Sequence, residues 1–378
     1  FEKNCKEGYE NGKTPIQIVE LFFKDYQKGI SFKEKFDLLF NFIQYIERQV
    51  VLFDAVEDAA FSEINNLDGI GSLRSLKDEV ELQNKKKELK KYLLKFKLRP
   101  VLTAHPTQFY PGSVLGIITD LTNAVKENNL NEIKSLLSQL GRTPFFKSKK
   151  PSPYDEAVSL TWYLENVFYD SISNIYKYIK TNIFDDKEFD NDIINLGFWP
   201  GGDRDGNPFV TDEITIKTAR KLRSDIIKNY YRDVKKLRRR LTFKNIESVI
   251  IDIENRLYKS ILDIKQNPEI NLKELKNKLN KIRTVLLNDH NSLFIDHLDE
   301  LISKVNIFGY HFASLDIRQD SRIHSKAFET IIPELKKNKI LKANLNFDEL
   351  SEIDKINLLS MVKGNINTKT ITNKLLAS

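Results

Sequence analysis

Long stretches of the chain repeat apolar residues at helical spacing, and a few short ones look like strands. Pro15 to Tyr26 carries Ile16, Ile18, Val19, Leu21, Phe22 and Phe23 with no internal Gly or Pro, which predicts a helix. Ser31-Phe32-Lys33-Glu34 has the form of a capping box, with Ser at the cap and Glu three residues on, and predicts a long helix running to about Asn65. Along it Leu38, Leu39, Phe42, Tyr45, Ile46, Val50 and Phe53 are expected to form a core-facing stripe. A third helix is predicted over 76–96, with alternating acidic and basic positions, stopping before Pro100.

Between Pro100 and Pro208 the texture changes. Pro-containing turns cluster there, and three mostly apolar segments have the composition of strands: 99–104, 196–199 and, further on, 312–317. Each runs into polar or charged residues and then a helical pattern. Strand, polar tip, helix is the order of a β/α architecture, in which chemistry sits at the C-terminal ends of strands. The strands are about a hundred residues apart, too wide for a simple barrel. The intervening sequence reads as helix over 113–127, 130–140, 154–178, 212–241, 245–265 and 272–287. The fold expected from the pattern is mostly α, with large helical excursions hung on a small sheet. No internal repeat, GxGxxG fingerprint or Walker loop is present.

Composition narrows the partners. With 378 residues, 40% hydrophobic and 30% charged, the chain can bury a substantial core and lies outside the range of disordered sequences. The single cysteine, Cys5, cannot close an internal disulfide, and no stretch has the length of a bilayer span or the apolar core of a signal peptide. A cytoplasmic protein with no membrane partner is expected. The net charge of +7 raises the question of a polyanion, and Lys235-Lys236-Leu237-Arg238-Arg239-Arg240 is the densest basic run. Within a helix those positions point in different directions, and no interleaved aromatics accompany them, so a solvated face and no nucleic acid is the expectation. The lysine-rich segment 85–97 reads the same way. Because the chain begins with Phe1 and its one methionine is Met361, it is read as a piece of a longer protein.

Three constellations carry candidate chemistry. In Thr103-Ala104-His105-Pro106-Thr107-Gln108, small Ala104 allows close approach, Pro106 biases His105 toward an extended backbone, and the threonines can hydrogen-bond the imidazole or a ligand. Such an imidazole can donate to an anion or move a proton, although a structural histidine is an open alternative. In Phe198-Trp199-Pro200-Gly201-Gly202-Asp203-Arg204-Asp205-Gly206-Asn207-Pro208, the paired glycines permit backbone approach or positive φ, and Gly206-Asn207-Pro208 is a turn. Arg204 is the segment's one cation, and in an extended segment Asp203 and Asp205 would point away from it, leaving its fork to phosphate or carboxylate. A calcium loop is excluded, since the sixth position is Pro208 and the twelfth Ile214. In the third, around Leu315-Asp316-Ile317-Arg318-Gln319-Asp320, alternation puts Asp316 and Arg318 on one side of a strand end. They are either functional or a structural salt bridge.

These motifs, in this order, together with Lys150-Pro151-Ser152-Pro153-Tyr154-Asp155-Glu156-Ala157, resemble phosphoenolpyruvate carboxylase of the bacterial type, over most of the chain and from its N-terminal portion. The resemblance implies a fold of mostly helices with an incomplete TIM-like β/α barrel, a cytoplasmic homotetramer, and conversion of phosphoenolpyruvate and bicarbonate to oxaloacetate and phosphate with Mg²⁺ or Mn²⁺. Residue by residue it implies His105 as the catalytic histidine and Arg204 as the anion-binding arginine. It also implies Thr103, Thr107, Gln108, Gly201, Gly202, Asp203, Asp205, Arg318 and Gln319 as binding or lining residues. Asp203 and Asp205 would orient Arg204. Residues 1–98 are expected to form a helical region, 99–330 the first part of the barrel, and 331–378 the start of a further helical region.

The chain departs from the family pattern at Pro111, where an arginine is usual, at Pro200 in place of methionine, and at Arg322, one place early. No metal ligand is assigned within the chain. The metal carboxylates, a Gly-rich Arg loop and a catalytic-site lysine are expected after residue 378, and the piece alone is expected to be inactive. An anion-binding or assembly module derived from the enzyme is the alternative.

Overall fold

The computed structural model describes residues 1–26, 28–103, 110, 112–145, 151–186, 193–263, 266–342 and 344–362. The chain divides into two compact units, Phe1–Ser75 with Pro106–Lys150, and Leu76–His105 with Pro151–Ser378.

The first unit is helical. It contains α1 (Glu2–Glu10), α2 (Pro15–Tyr26) and α3 (Phe32–Ile64). After α4 (Leu73–Leu82) and α5 (Lys86–Leu93) in the chain come α6 (Gly112–Lys126) and α7 (Leu130–Leu140), which belong to it as well. The predicted capping box opens α3: Ser31 Oγ accepts from the Glu34 N–H at 3.3 Å, and the Ser31 N–H donates to Glu34 Oε2 at 2.7 Å. The expected core stripe of α3 is corrected. Tyr45, Ile46, Val50 and Phe53 are exposed, and the residues buried are the small Val51, Ala55 and Ala59, of which Val51 and Ala55 pack against Val114, Ile117 and Leu121 of α6. Small side chains let the α3 and α6 backbones approach, and that contact claims the opposite side of the helix from the larger residues. The helix predicted over 76–96 is two helices, because Asn84 takes a left-handed φ of 57° that ends the first.

The second unit holds the sheet. Strands β1 (Val101–Leu102), β2 (Gly197–Phe198) and β3 (Ser314–Leu315) are parallel and lie in the order β1-β2-β3. All three predicted strands are present, but their regular ladders are only two residues long. Bridges Leu98↔Ile194 and Asp203↔Arg318 extend the pairing at the two ends. Ala104, the last residue of the first predicted segment, lies outside the described residues.

Alternation gives the sheet two unlike faces. Leu196, Phe198 and Ala313 are buried, with Leu102 and Leu315 partly so, in one core shared with the helices. Burying Phe198 alone contributes about 1.5–3 kcal/mol. Arg99, Val101, Gly197, Trp199, Ser314, Asp316 and Arg318 alternate with them onto the other face. A Cβ on Gly197 would stand 2.9 Å from Val101 Cγ2 and 3.2 Å from Arg99 Nε, so the two strands meet closely there.

Helices from both crossovers cover the apolar face. Between β1 and β2 run α8 (Pro153–Tyr163) and α9 (Tyr169–Asn182). The single helix expected over 154–178 is interrupted by a π-helical turn, Leu164–Phe168, between them. Between β2 and β3 run α10 (Asp212–Arg238), α11 (Glu247–Leu262), α12 (Leu272–Asp289) and α13 (Ile295–Phe308). Leu164, Tyr169, Ile226, Tyr230, Ile253, Leu279 and Val305 belong to the same core as the strands. Lys304, with a side chain 3% exposed, is held by Asp170 at 2.7 Å, Glu300 at 2.8 Å and Asp233 at 3.2 Å. Beyond β3, α14 (Ser321–Lys337) and α15 (Glu352–Ser360) share a small separate cluster around Ile332, Leu335 and Leu341.

Candidate anion site at the strand ends

The polar face of the sheet collects charge at its C-terminal edge. Arg318 lies flat against Trp199, its guanidinium carbon 4.1 Å from the ring centroid. Its Nη1 donates to Asp203 Oδ2 at 2.7 Å, and Asp205 stands 3.7 Å from its Nη2. The Trp199 indole N–H donates to Asp316 Oδ2 at 3.1 Å, and the other Asp316 oxygen accepts from Arg99 Nη2 at 2.5 Å. Arg99, Asp316, Trp199, Arg318 and Asp203 thus form one chain of contacts across all three strands. Stacking and a carboxylate together fix the plane of the Arg318 guanidinium, which lowers the entropy lost when it grips an anion.

The backbone around it explains the glycines. The Gly202 carbonyl accepts from the Arg318 N–H at 3.0 Å, and the Arg318 carbonyl accepts from the Arg204 N–H at 2.8 Å. A Cβ on Gly202 would sit 2.2 Å from the Asp316 carbonyl oxygen, and one on Gly201, whose φ is +80°, 2.2 Å from Thr218 Oγ1. Both predicted uses of these glycines, close approach and positive φ, are present. Gly206, at φ +69°, turns the chain ahead of Asn207 and Pro208 as expected.

Arg204 is half-buried and lines a cavity of about 430 Å³ with Asp205, Gly206, Asn207, Gln319 and Asp320. The cavity lies at the N-terminal end of α14, where the helix dipole favours negative charge. Asp320 caps that helix, accepting from the Arg322 N–H at 2.8 Å. Hydrogen bonds from the Arg322 side chain and backbone hold its carboxyl down to about 2. Gln319 Oε1 accepts from the Asp320 N–H at 2.9 Å.

Of the predicted site residues, the structure brings Gly201, Gly202, Asp203, Arg204, Asp205, Arg318 and Gln319 into one neighbourhood. Thr103 directly follows β1. His105, Thr107 and Gln108 lie outside the described residues. Two expectations change. Asp203 and Asp205 both reach Arg318, a partner the sequence did not indicate, because 202–204 pairs with the end of β3 and lays those carboxylates beside it. Asp316 and Arg318 share a face as alternation required, yet Asp316 pairs with Arg99 and Arg318 with Asp203, with Trp199 between them. Arg99 and Trp199 were missed as site residues. The available signal was the alternation itself, which carries Arg99 and Trp199 onto the face opposite the core.

Among the described residues no three His, Cys, Asp or Glu gather where they could hold a metal ion. The nearby carboxylates are engaged with arginines. No helix among the described residues is long and apolar enough to cross a membrane.

The parallel β/α scaffold thus presents Arg204 and Arg318 at its strand ends. Residues 24–270 and 254–367 match the family model for phosphoenolpyruvate carboxylase. The chain belongs to the phosphoenolpyruvate carboxylase family, whose members are lyases acting on phosphoenolpyruvate.

Proposed function

We propose that this chain carries the anion-holding part of the site that converts phosphoenolpyruvate and bicarbonate to oxaloacetate and phosphate. The observation that carries the reading is Arg318, stacked on Trp199 and braced by Asp203 at the strand ends, next to the cavity lined by Arg204. Two planar guanidinium groups suit the phosphate and carboxylate oxygens of the substrates and the charge that moves between them.

In the proposed sequence a bicarbonate oxygen attacks the substrate phosphorus, the bond from phosphorus to the enol oxygen breaks, and carboxyphosphate and an enolate result. His105, which follows β1 by three residues, takes the carboxyphosphate proton as it splits to CO₂ and phosphate. The enolate carbon then captures CO₂. Arg204 and Arg318 hold the phosphoryl charge throughout, and Thr103, Thr107, Gln108, Gly201, Gly202, Asp205 and Gln319 line or shape the site. Family members are generally magnesium-dependent. The described carboxylates do not gather into a set that fits that ion, and this chain alone is proposed not to turn over.

The scaffold is proposed to be the beginning of a β/α barrel. Sequential order β1-β2-β3, parallel strands and crossover helices in one core on one face match a singly wound barrel, whereas a doubly wound sheet buries both faces. On this reading 1–98 is a helical region, 99–330 holds the barrel strands and 331–378 begins another helical region. Segment 106–150 is then an excursion that packs with the first helices. A cytoplasmic homotetramer is the assembly this reading expects.

Calorimetric titration with phosphoenolpyruvate tests the binding role: Arg204→Met and Arg318→Met are each expected to weaken binding at least about tenfold. Binding unchanged in both variants overturns it. In a preparation that carboxylates, His105→Asn is expected to abolish oxaloacetate formation, and a wild-type rate removes His105 from the mechanism. Oxaloacetate formed by this chain with Mg²⁺ and bicarbonate, read through malate dehydrogenase above a no-protein control, overturns the proposal that it does not turn over.

A further inference from the structure

The backbone of Trp199 is fixed from both sides, which leaves its side chain two torsions. Its N–H donates to the Leu102 carbonyl at 3.0 Å, and its own carbonyl accepts from the Gly202 and Asp203 N–H groups at 2.9 Å each. The ring is only half-buried, on the polar face of the sheet, so core packing leaves its rotation open. Asp316 closes that freedom: one carboxylate oxygen takes the indole N–H and the other takes Arg99. Arg99 leads into β1 and Asp316 follows β3, so their ion pair spans the middle strand, about 9–10 Å across. The crossing runs past Gly197 of β2. A Cβ there would stand 3.2 Å from Arg99 Nε and crowd the arginine off its path. A half-exposed ion pair of this kind adds little to stability, and its consequence lies in what it does to the indole.

We infer that Asp316 is a positioning residue of the anion site and that Arg99 braces it. Asp316 acts through Trp199, whose ring carries the Arg318 guanidinium 4.1 Å above its centroid. A ring free to turn would offer Arg318 its edge as well as its face, and a cation is attracted to the face alone. By holding the indole N–H, Asp316 sets the plane in which the Arg318 fork meets the oxygens of a phosphate. The inference deepens the proposed anion-holding role of Arg318 and rests on it. Its sign separates it from simple electrostatics. Asp316 is a negative charge close to the arginines, so removing it would by Coulomb attraction alone tighten anion binding, and would release Arg99 to help. Positioning demands the reverse: without Asp316 the anion binds more weakly.

The chain has two tryptophans and Trp162 is exposed, so a Trp162→Phe parent leaves Trp199 as the single indole reporter. In that parent, Asp316→Leu is expected to lose most of the near-UV circular dichroism of Trp199 while the far-UV spectrum stays unchanged. It is also expected to weaken binding of inorganic phosphate, measured by calorimetric titration, at least about fivefold. Arg99→Met, at a half-exposed side chain, should move both readouts the same way by a smaller amount, and Arg99→Lys should restore them toward the parent. Loss of a cation alone would weaken phosphate binding but leave the Trp199 band untouched, so the band is the deciding readout for Arg99. Phosphate held by Asp316→Leu as tightly as by the parent or more so, or a Trp199 band unchanged in both Asp316→Leu and Arg99→Met, overturns the inference and leaves the role of Arg318 standing. Arg99→Lys no better than Arg99→Met removes Arg99 as the brace. A parent that binds no phosphate removes the anion-holding role of Arg318, and the inference with it.

Discussion

Two long helices, α3 and α10, use their apolar residues in opposite ways. In α10, Thr211 caps the N-terminus, accepting from the Ile214 N–H, and Leu222, Ile226, Ile227, Tyr230, Val234 and Leu237 are buried. The Tyr230 hydroxyl donates to the Gly309 carbonyl at 2.7 Å, tying α10 to the chain just before β3. The longer α3 has more large apolar side chains but buries only Val51, Ala55 and Ala59. Helical periodicity therefore says that a face will be covered, and does not say by what. In α10 the cover is the strand-bearing core, whereas α3 turns Val51 and Ala55 to α6 and leaves most of its large apolar residues exposed.

The contrast can be broken by measurement, beginning where the largest effect is expected. Ile226→Ala in α10 leaves a cavity in a fully buried position and should lower stability by about 2–5 kcal/mol in denaturant unfolding. Gly202→Ala should cost about 1–3 kcal/mol, because its Cβ collides with the Asp316 backbone, and it should also weaken phosphate binding through Arg318.

The next effect depends on pH. Burial pushes the Asp225 carboxyl on α10 up to about 6, against the pull of Lys221 at 2.6 Å. A carboxyl raised in the folded state adds stability that is complete below its unfolded value of 3.8 and is lost as pH rises through about 6. Asp225→Asn should therefore gain on the wild type, on the order of 1 kcal/mol, between pH 4 and 7 in thermal unfolding. A constant difference across that range would show that Asp225 does not titrate there. The smallest effect is expected on α3. Phe53→Ser should change stability by less than about 0.5 kcal/mol, and a loss comparable to Ile226→Ala would mean that the exposed face of α3 is core after all.

Much of the architecture was legible in the sequence. Pro15–Tyr26 and Leu130–Leu140 match their predicted bounds, the Ser31 box starts α3, and the three strand segments pair in parallel. Local signals set these features: caps, Gly and Pro positions, and runs of apolar residues, all of which act within a few residues of chain. The break at Asn84 and the π turn at Leu164–Phe168 were not legible, since neither has a Pro or Gly to announce it. The order of the motifs was enough to indicate the family, and the alternation of β3 was enough to put Asp316 and Arg318 on one face.

The sequence by itself determined the helical texture, the strand positions, the glycines at the strand end and the family. Only the tertiary structure decided which charges meet, giving Asp203 to Arg318, Asp316 to Arg99 and Trp199, and Trp199 as a platform between them. It also decided that α3 turns its small residues inward. The reason is the same in both cases: these contacts join residues more than fifty positions apart, and their partners depend on how strands register and helices cross. No local pattern encodes that.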